Sequence, residues 1–153
     1  MERRDLFAVL GGAMVALRAS VVESADPARV GFVSGGDEEG AAAFVAALRD
    51  GLAAEGYNEA ETLILECRYA NYSLERVPAL VAELERRRVA QIVTHAAATS
   101  IVVKGYRTVP VVYEFSADPV ATGIAEDLAH PLFNATGVTL MKAELNSKPR
   151  VLA

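Results

Sequence analysis

Cysteine is almost missing from this chain. Cys67 stands alone among 153 residues, which excludes an internal disulfide and a cysteine-based metal cluster. Histidine is nearly as scarce: His95 and His130 lie far apart without ligand-like spacing, so no zinc or other metal site is read here. Positive charge is in deficit, with 15 Lys and Arg against 20 Asp and Glu and a net charge of −5. No basic patch is left for nucleic acid, because the run Glu85-Arg86-Arg87-Arg88 falls at a helix end, where cations complement the helix dipole. Complete catalytic motifs are also lacking. In Gly31-Phe32-Val33-Ser34-Gly35-Gly36, Phe32 replaces the first glycine of a nucleophile elbow. The same glycines miss the spacing of a dinucleotide turn, and no P-loop lysine follows them. Glu66 is placed to bind a ribose, but without that glycine fingerprint. A Ser34–His95–Asp118 triad is conceivable only from position at strand ends. No catalytic residue and no cofactor is assigned.

Long apolar runs are absent as well. The longest, Leu6 to Leu17, is too short to span a bilayer as a helix. It follows Arg3-Arg4-Asp5, so the first 25 residues read as an export signal of twin-arginine type plus a polar connector. The expected location is the periplasm. No cysteine lies directly behind the run, which argues against a lipoprotein anchor. Apolar residues make up 52% of the chain and charged residues 23%. That composition supplies one packed domain rather than a disordered chain.

From Arg29 onward, strand and helix signals alternate. Val30, Phe32 and Val33 mark a first strand ending at Ser34, apolar on both faces as in the centre of a parallel sheet. Ala41, Phe44, Val45, Leu48 and Leu52 share one face of a helix over 38–55 that Gly56 ends. Thr62 to Tyr69 alternates apolar and polar residues, the pattern of a sheet edge. A helix over 73–88 carries Pro78 in its first turn. Strands follow over 89–94 and 109–115, with a helix between them ending near Arg107. Asp118-Pro119 has the form of a helix start, with Val120, Ile124 and Leu128 as the buried stripe. A fifth strand covers 136–140. The expected fold is α/β: a three-layer sandwich around an open parallel five-stranded sheet of order 2-1-3-4-5, with right-handed crossovers.

Ligands of such sheets bind beyond the carboxyl ends of the strands. Ser34-Gly35-Gly36, Tyr69-Ala70-Asn71, His95 to Ser100 and Phe115 to Asp118 meet there, three of them leading into expected helix starts. Free N–H groups and short hydroxyls suit a carboxylate or other small anion. Two readings stay open for Ser34, Thr99, Ser100 and Asp118: ligand contact, or a local turn or cap. His95 either faces the cleft or sits in a surface turn. Cys67, Tyr113 and Phe115 read as core, and Tyr69 and Tyr72 as rim aromatics.

Several segments together resemble one family. They are Val30 to Gly36, Phe44 to Tyr57, Arg76 to Val89, Val109 to Val112 with Ala117-Asp118-Pro119-Val120, and Asn134 to Thr139. The family is the substrate-binding proteins of ABC transporters with the type I periplasmic-binding fold, some members of which bind amino acids. The resemblance implies a two-lobed clamp, of which residues 26–141 would form the first lobe and residues 142–153 a truncated start of the second or a disordered tail. It implies a small-molecule ligand, an amino acid or other small carboxylate, and an ABC permease as partner. Ser34, Gly35, Ala98, Thr99, Ser100, Ser116 and Asp118 would line the first lobe's half of the site. Two departures stand out: His95-Ala96-Ala97-Ala98 replaces a glycine-rich stretch, and Leu132-Phe133 a Gly-Gly turn. The rival readings are a small flavodoxin-like hydrolase or nucleotide-binding enzyme, and a self-associating interaction module whose apolar surface lies near the fifth strand.

Overall fold

The computed structural model describes residues 26–140 apart from Ala60 and Leu128. The expected leader around Arg3-Arg4 and the segment 142–153 lie outside the described residues, as does Leu128 of the expected stripe. Among the described residues no helix is long and apolar enough to cross a membrane.

Strands β1 (Ala28–Ser34), β2 (Leu63–Tyr69), β3 (Gln91–His95), β4 (Val111–Phe115) and β7 (Ala135–Thr139) form one five-stranded sheet in the order β2-β1-β3-β4-β7. Every neighbouring pair is parallel. This is the expected 2-1-3-4-5 order, with β2 at one edge. Helices α1 (Glu38–Ala54), α2 (Val77–Arg86) and α3 (Ala98–Gly105) link the strands, a 3-10 turn at Leu74–Arg76 leading into α2. Side chains alternate across each strand, so two cores form. Val30, Phe32, Leu63, Val93 and Val112 pack against Ala41, Val45, Leu48 and Leu52 of α1. Val33, Ile92, Val111, Tyr113 and Phe115 pack against Val77, Val81 and Leu84 of α2 and Val102 and Val103 of α3. Tyr113 and Phe115 are core residues, as their strand positions suggested.

Element ends follow local chemistry. Asp37 caps α1 by accepting from the Gly40 N–H at 2.8 Å. Gly56 takes φ +89° just beyond its end, a left-handed conformation open to glycine at little cost.

The expected helix after Asp118 is not formed. Residues 119–123 are a turn, and the chain continues into β5 (Ala125–Asp127) and β6 (His130–Pro131), an antiparallel pair. The Asp118-Pro119 start is real, but only one turn succeeds it. The Asp118 carboxylate accepts from Val120 N at 2.8 Å and Ala121 N at 3.2 Å. Gly123 then adopts φ +71° and ends the turn before a second can build. Of the proposed stripe, Ile124 is buried while Val120 is exposed.

Candidate functional site

The strand order reverses between β1 and β3, and the crevice at such a switch point is where ligands bind in open α/β sheets. Ser34 and His95, the last residues of β1 and β3, are register partners there. Ser34 is buried, and its hydroxyl accepts from Gly36 N at 3.1 Å, so it shapes the turn after β1. Gly35 lies hard against the start of α3: a Cβ on it would come 3.0 Å from Ala98 N. The loop after β2 is laced onto this turn, with Asn71 N bonded to Gly36 O and Tyr72 N to Gly35 O. Both residues hold left-handed backbones, φ 52° and 63°. Tyr72 is 73% exposed and stands at the rim beside Gly36.

The helix starts differ in what they offer an anion. At α1, Asp37 occupies the cap and Glu38 and Glu39 fill the first turn, so negative charge already complements that dipole. After Asp118, the turn N–H groups are taken by the Asp118 carboxylate. The start of α2 has no side-chain cap and no acidic residue in its first turn, and α3 begins the same way. Of the three starts expected from sequence to face a carboxylate, this one keeps the chemistry. Within it, Ala98 and Thr99 are buried, and the Thr99 hydroxyl donates to Glu114 O at 3.3 Å, tying α3 to β4. Ser100 is half-buried and Ser116 exposed.

The alanine stretch before α3 keeps a glycine-like shape: Ala96 has φ +58°. Phe133 does the same before β7, with φ +66°. Arg107 stacks on the Phe133 ring at 3.4 Å, and Asn134 Nδ2 donates to Val109 O at 2.5 Å. These contacts hold a backbone that a non-glycine residue rarely adopts.

Sequence reasoning passed over a buried acid at this end of the sheet. Glu114 is the register partner of His95 on the neighbouring strand. It is 4% exposed, and its Oε2 lies 3.3 Å from His95 Nε2. The signal was present: Glu114 is the single charged residue in the apolar run Val109 to Phe115. Phe44 of α1 covers the imidazole, ring centroids 4.7 Å apart. Burial pushes the Glu114 carboxyl up from its usual range and the His95 imidazole down. The two act oppositely on stability. Folded Glu114 keeps its proton longer than the unfolded chain does, so stability falls as pH rises from about 4.5 through its raised value. Folded His95 releases its proton sooner, so stability recovers as pH rises from its lowered value to about 6.5. Glu114→Gln removes the first effect alone. At pH 7 it is expected to gain about 1 kcal/mol, and the gain should vanish below pH 4.5. Urea titrations at both pH values check this; equal midpoints at pH 7 would show the carboxylate to be fully hydrated.

Glu66 sits elsewhere, on the α2 side of β2, and it is not free to bind a ribose. Arg29, Arg68 and Arg87 all reach its carboxylate, at 3.3, 3.2 and 3.2 Å. Among the described residues no group of three or more His, Cys, Asp or Glu is placed to hold a metal ion.

The chain belongs to the ABC transporter substrate binding protein family, whose model matches residues 30–148. No curated protein matches the sequence. Three solved structures share the fold. One is a conserved domain protein from Vibrio cholerae, 24% identical, TM-score 0.67, covering 74% of this chain and 39% of its own. Another is the ABC domain from Streptococcus pneumoniae in complex with L-Trp, 22% identical, TM-score 0.66, with coverage of 74% and 39%. The third is ligand-free, open CD0873 of Clostridium difficile, a substrate binding protein with adhesive properties. It is 15% identical, with TM-score 0.66 and coverage of 73% and 38%. The chain therefore spans about two fifths of each neighbour's length.

Proposed function

We propose that this chain is the first lobe of an extracytoplasmic solute-binding protein, exported through its twin-arginine leader. In this reading it captures an amino acid or other small carboxylate and delivers it to an ABC permease. The family match over residues 30–148 carries this reading. The site would comprise Ser34, Gly35, Ala98, Thr99, Ser100, Ser116 and Asp118, with the uncapped start of α3 receiving the carboxylate. One lobe leaves a bound ligand open to water on its other side, which screens each charge-assisted contact. Affinity for amino acids is therefore expected near 1 mM, about −4 kcal/mol. Calorimetry on the mature chain against the common amino acids tests this. A failure of all of them to bind overturns the solute reading, and a micromolar constant overturns the half-clamp.

A second reading, self-association, draws on the outer edge of β7, which pairs only with β4 among the described residues. Phe133 and Leu140 are exposed at the two ends of that strand. Light scattering on the eluted chain decides it: a monomer at 100 μM, on the order of the weak-complex range, removes this reading.

A further inference from the structure

Glu114 and His95 form a constellation that the proposed site does not use. Glu114 is buried at the carboxyl end of β4, and His95 Nε2 lies 3.3 Å from its carboxylate. A carboxylate has about four acceptor positions, far more than one imidazole N–H fills. His95 is also unfinished: its Nδ1 is buried and has no hydrogen-bond partner. A neutral His95 that keeps its proton on Nε2, the nitrogen facing Glu114, has a bare lone pair on Nδ1. Burial favours that neutral form. The constellation thus presents acceptors and is short of donors.

Its surroundings favour positive charge. The rings of Phe44 and Phe32 flank the imidazole, with centroids 4.7 and 6.4 Å from it, and aromatic faces attract cations. Asp37, Glu38 and Glu39 stand at the start of α1, just beyond β1, and Asp118 just beyond β4. The Arg76 guanidinium is turned to Ala70 O at 3.3 Å. A ligand that is only an anion meets one favourable helix start and this acidic rim.

We propose that Glu114 and His95 form an ammonium subsite, so that this lobe takes the cationic end of a primary amine or amino acid at the β3–β4 side of the crevice. The ammonium N–H groups complete the open acceptor positions of Glu114, beside the His95 imidazole. In a zwitterion, the carboxylate then lies towards the uncapped start of α3. This inference rests on the solute-binding reading and adds which end of the ligand this lobe recognises.

Three indole probes separate the two ideas: tryptamine with an ammonium only, indole-3-propionate with a carboxylate only, and L-tryptophan with both. Binding is followed by 1H–15N chemical shifts on the full mature chain at pH 7. Tryptamine is expected to bind at least about tenfold more tightly than indole-3-propionate, a difference of about 1.4 kcal/mol. Glu114→Gln should abolish that preference by weakening tryptamine and not indole-3-propionate, and a thermal scan verifies that the variant is folded. The wild-type ranking needs no variant and stands as an independent reading. Equal or reversed ranking of tryptamine and indole-3-propionate overturns the ammonium subsite and leaves the solute reading intact. Binding of none of the three overturns the subsite, and failure across the wider amino-acid panel overturns the solute reading as well.

Discussion

Gly137→Ala is expected to cost about 3 kcal/mol or more, much of the 5–15 kcal/mol by which a domain of this size is stable. Gly137 pairs with Tyr113 across β4 and β7. A Cβ on Gly137 would lie 2.1 Å from Tyr113 O and 2.6 Å from two carbons of its ring. The carbonyl cannot retreat without breaking the ladder, and the ring is buried in the core shared with α2 and α3. Peeling β7 away relieves the clash but loses the sheet's last strand. Gly105→Ala is the matched control. It lies at the end of α3 with nothing within 4 Å of a new Cβ, and there alanine should gain about 0.5 kcal/mol. Urea unfolding of the two variants measures the contrast. A Gly137→Ala protein within 1 kcal/mol of the parent, on the scale of ordinary surface changes, would mean that β4 and β7 are not in this register.

The same strand shows how far the sequence could be read. Period-2 and period-3.6 patterns placed all five sheet strands and three helices within a few residues, because burial on one or both faces imposes those periods. The polar alternation of β2 correctly marked an edge. The pattern failed after Asp118. There a cap signal is local, whereas continuation of a helix depends on the residues of its second turn, and Gly123 breaks it before that turn forms. The geometry of the candidate site was legible in part. Ser34, Gly35 and Ala98 do come together at the switch point, because strand ends in an open sheet converge by topology. For His95 the sequence leaves two places open, the cleft or a surface turn. Its partner Glu114 was missed because the pairing crosses two strands separated by a helix, and no short motif encodes it. Ala96 and Phe133 stand where the resembled family has glycine. Their left-handed backbones show that a change of side chain at such places need not change the loop's path.

Glu66→Ala is expected to cost about 3 kcal/mol, a larger effect than removing any one of its partners. Glu66 is 9% exposed on the α2 side of β2, and its two oxygens receive Arg29, Arg68 and Arg87, from β1, β2 and the turn after α2. Glu83 of α2 adds a second carboxylate, 2.8 Å from Arg68 Nη2. Five charges thus bind the edge strand to the centre of the sheet and to the helix above it. Without Glu66, three guanidiniums surround the vacated position while the one remaining carboxylate, Glu83, pairs with Arg68, and the guanidiniums repel one another. The partners are less critical: Arg87 is more than half exposed, so Arg87→Ala should cost about 0.5 kcal/mol. The two losses also differ in salt dependence. Raising ionic strength to about 1 M shortens the screening length to about 3 Å. That should recover part of the Glu66→Ala deficit, because it relieves like-charge repulsion, while the small Arg87→Ala deficit falls towards zero as the exposed pair is screened. Urea midpoints of the parent and both variants at low and high salt test the argument together. A Glu66→Ala deficit no larger than that of Arg87→Ala would show the carboxylate to be hydrated, and the edge strand to be held by its backbone ladder and the Leu63 side of the core alone.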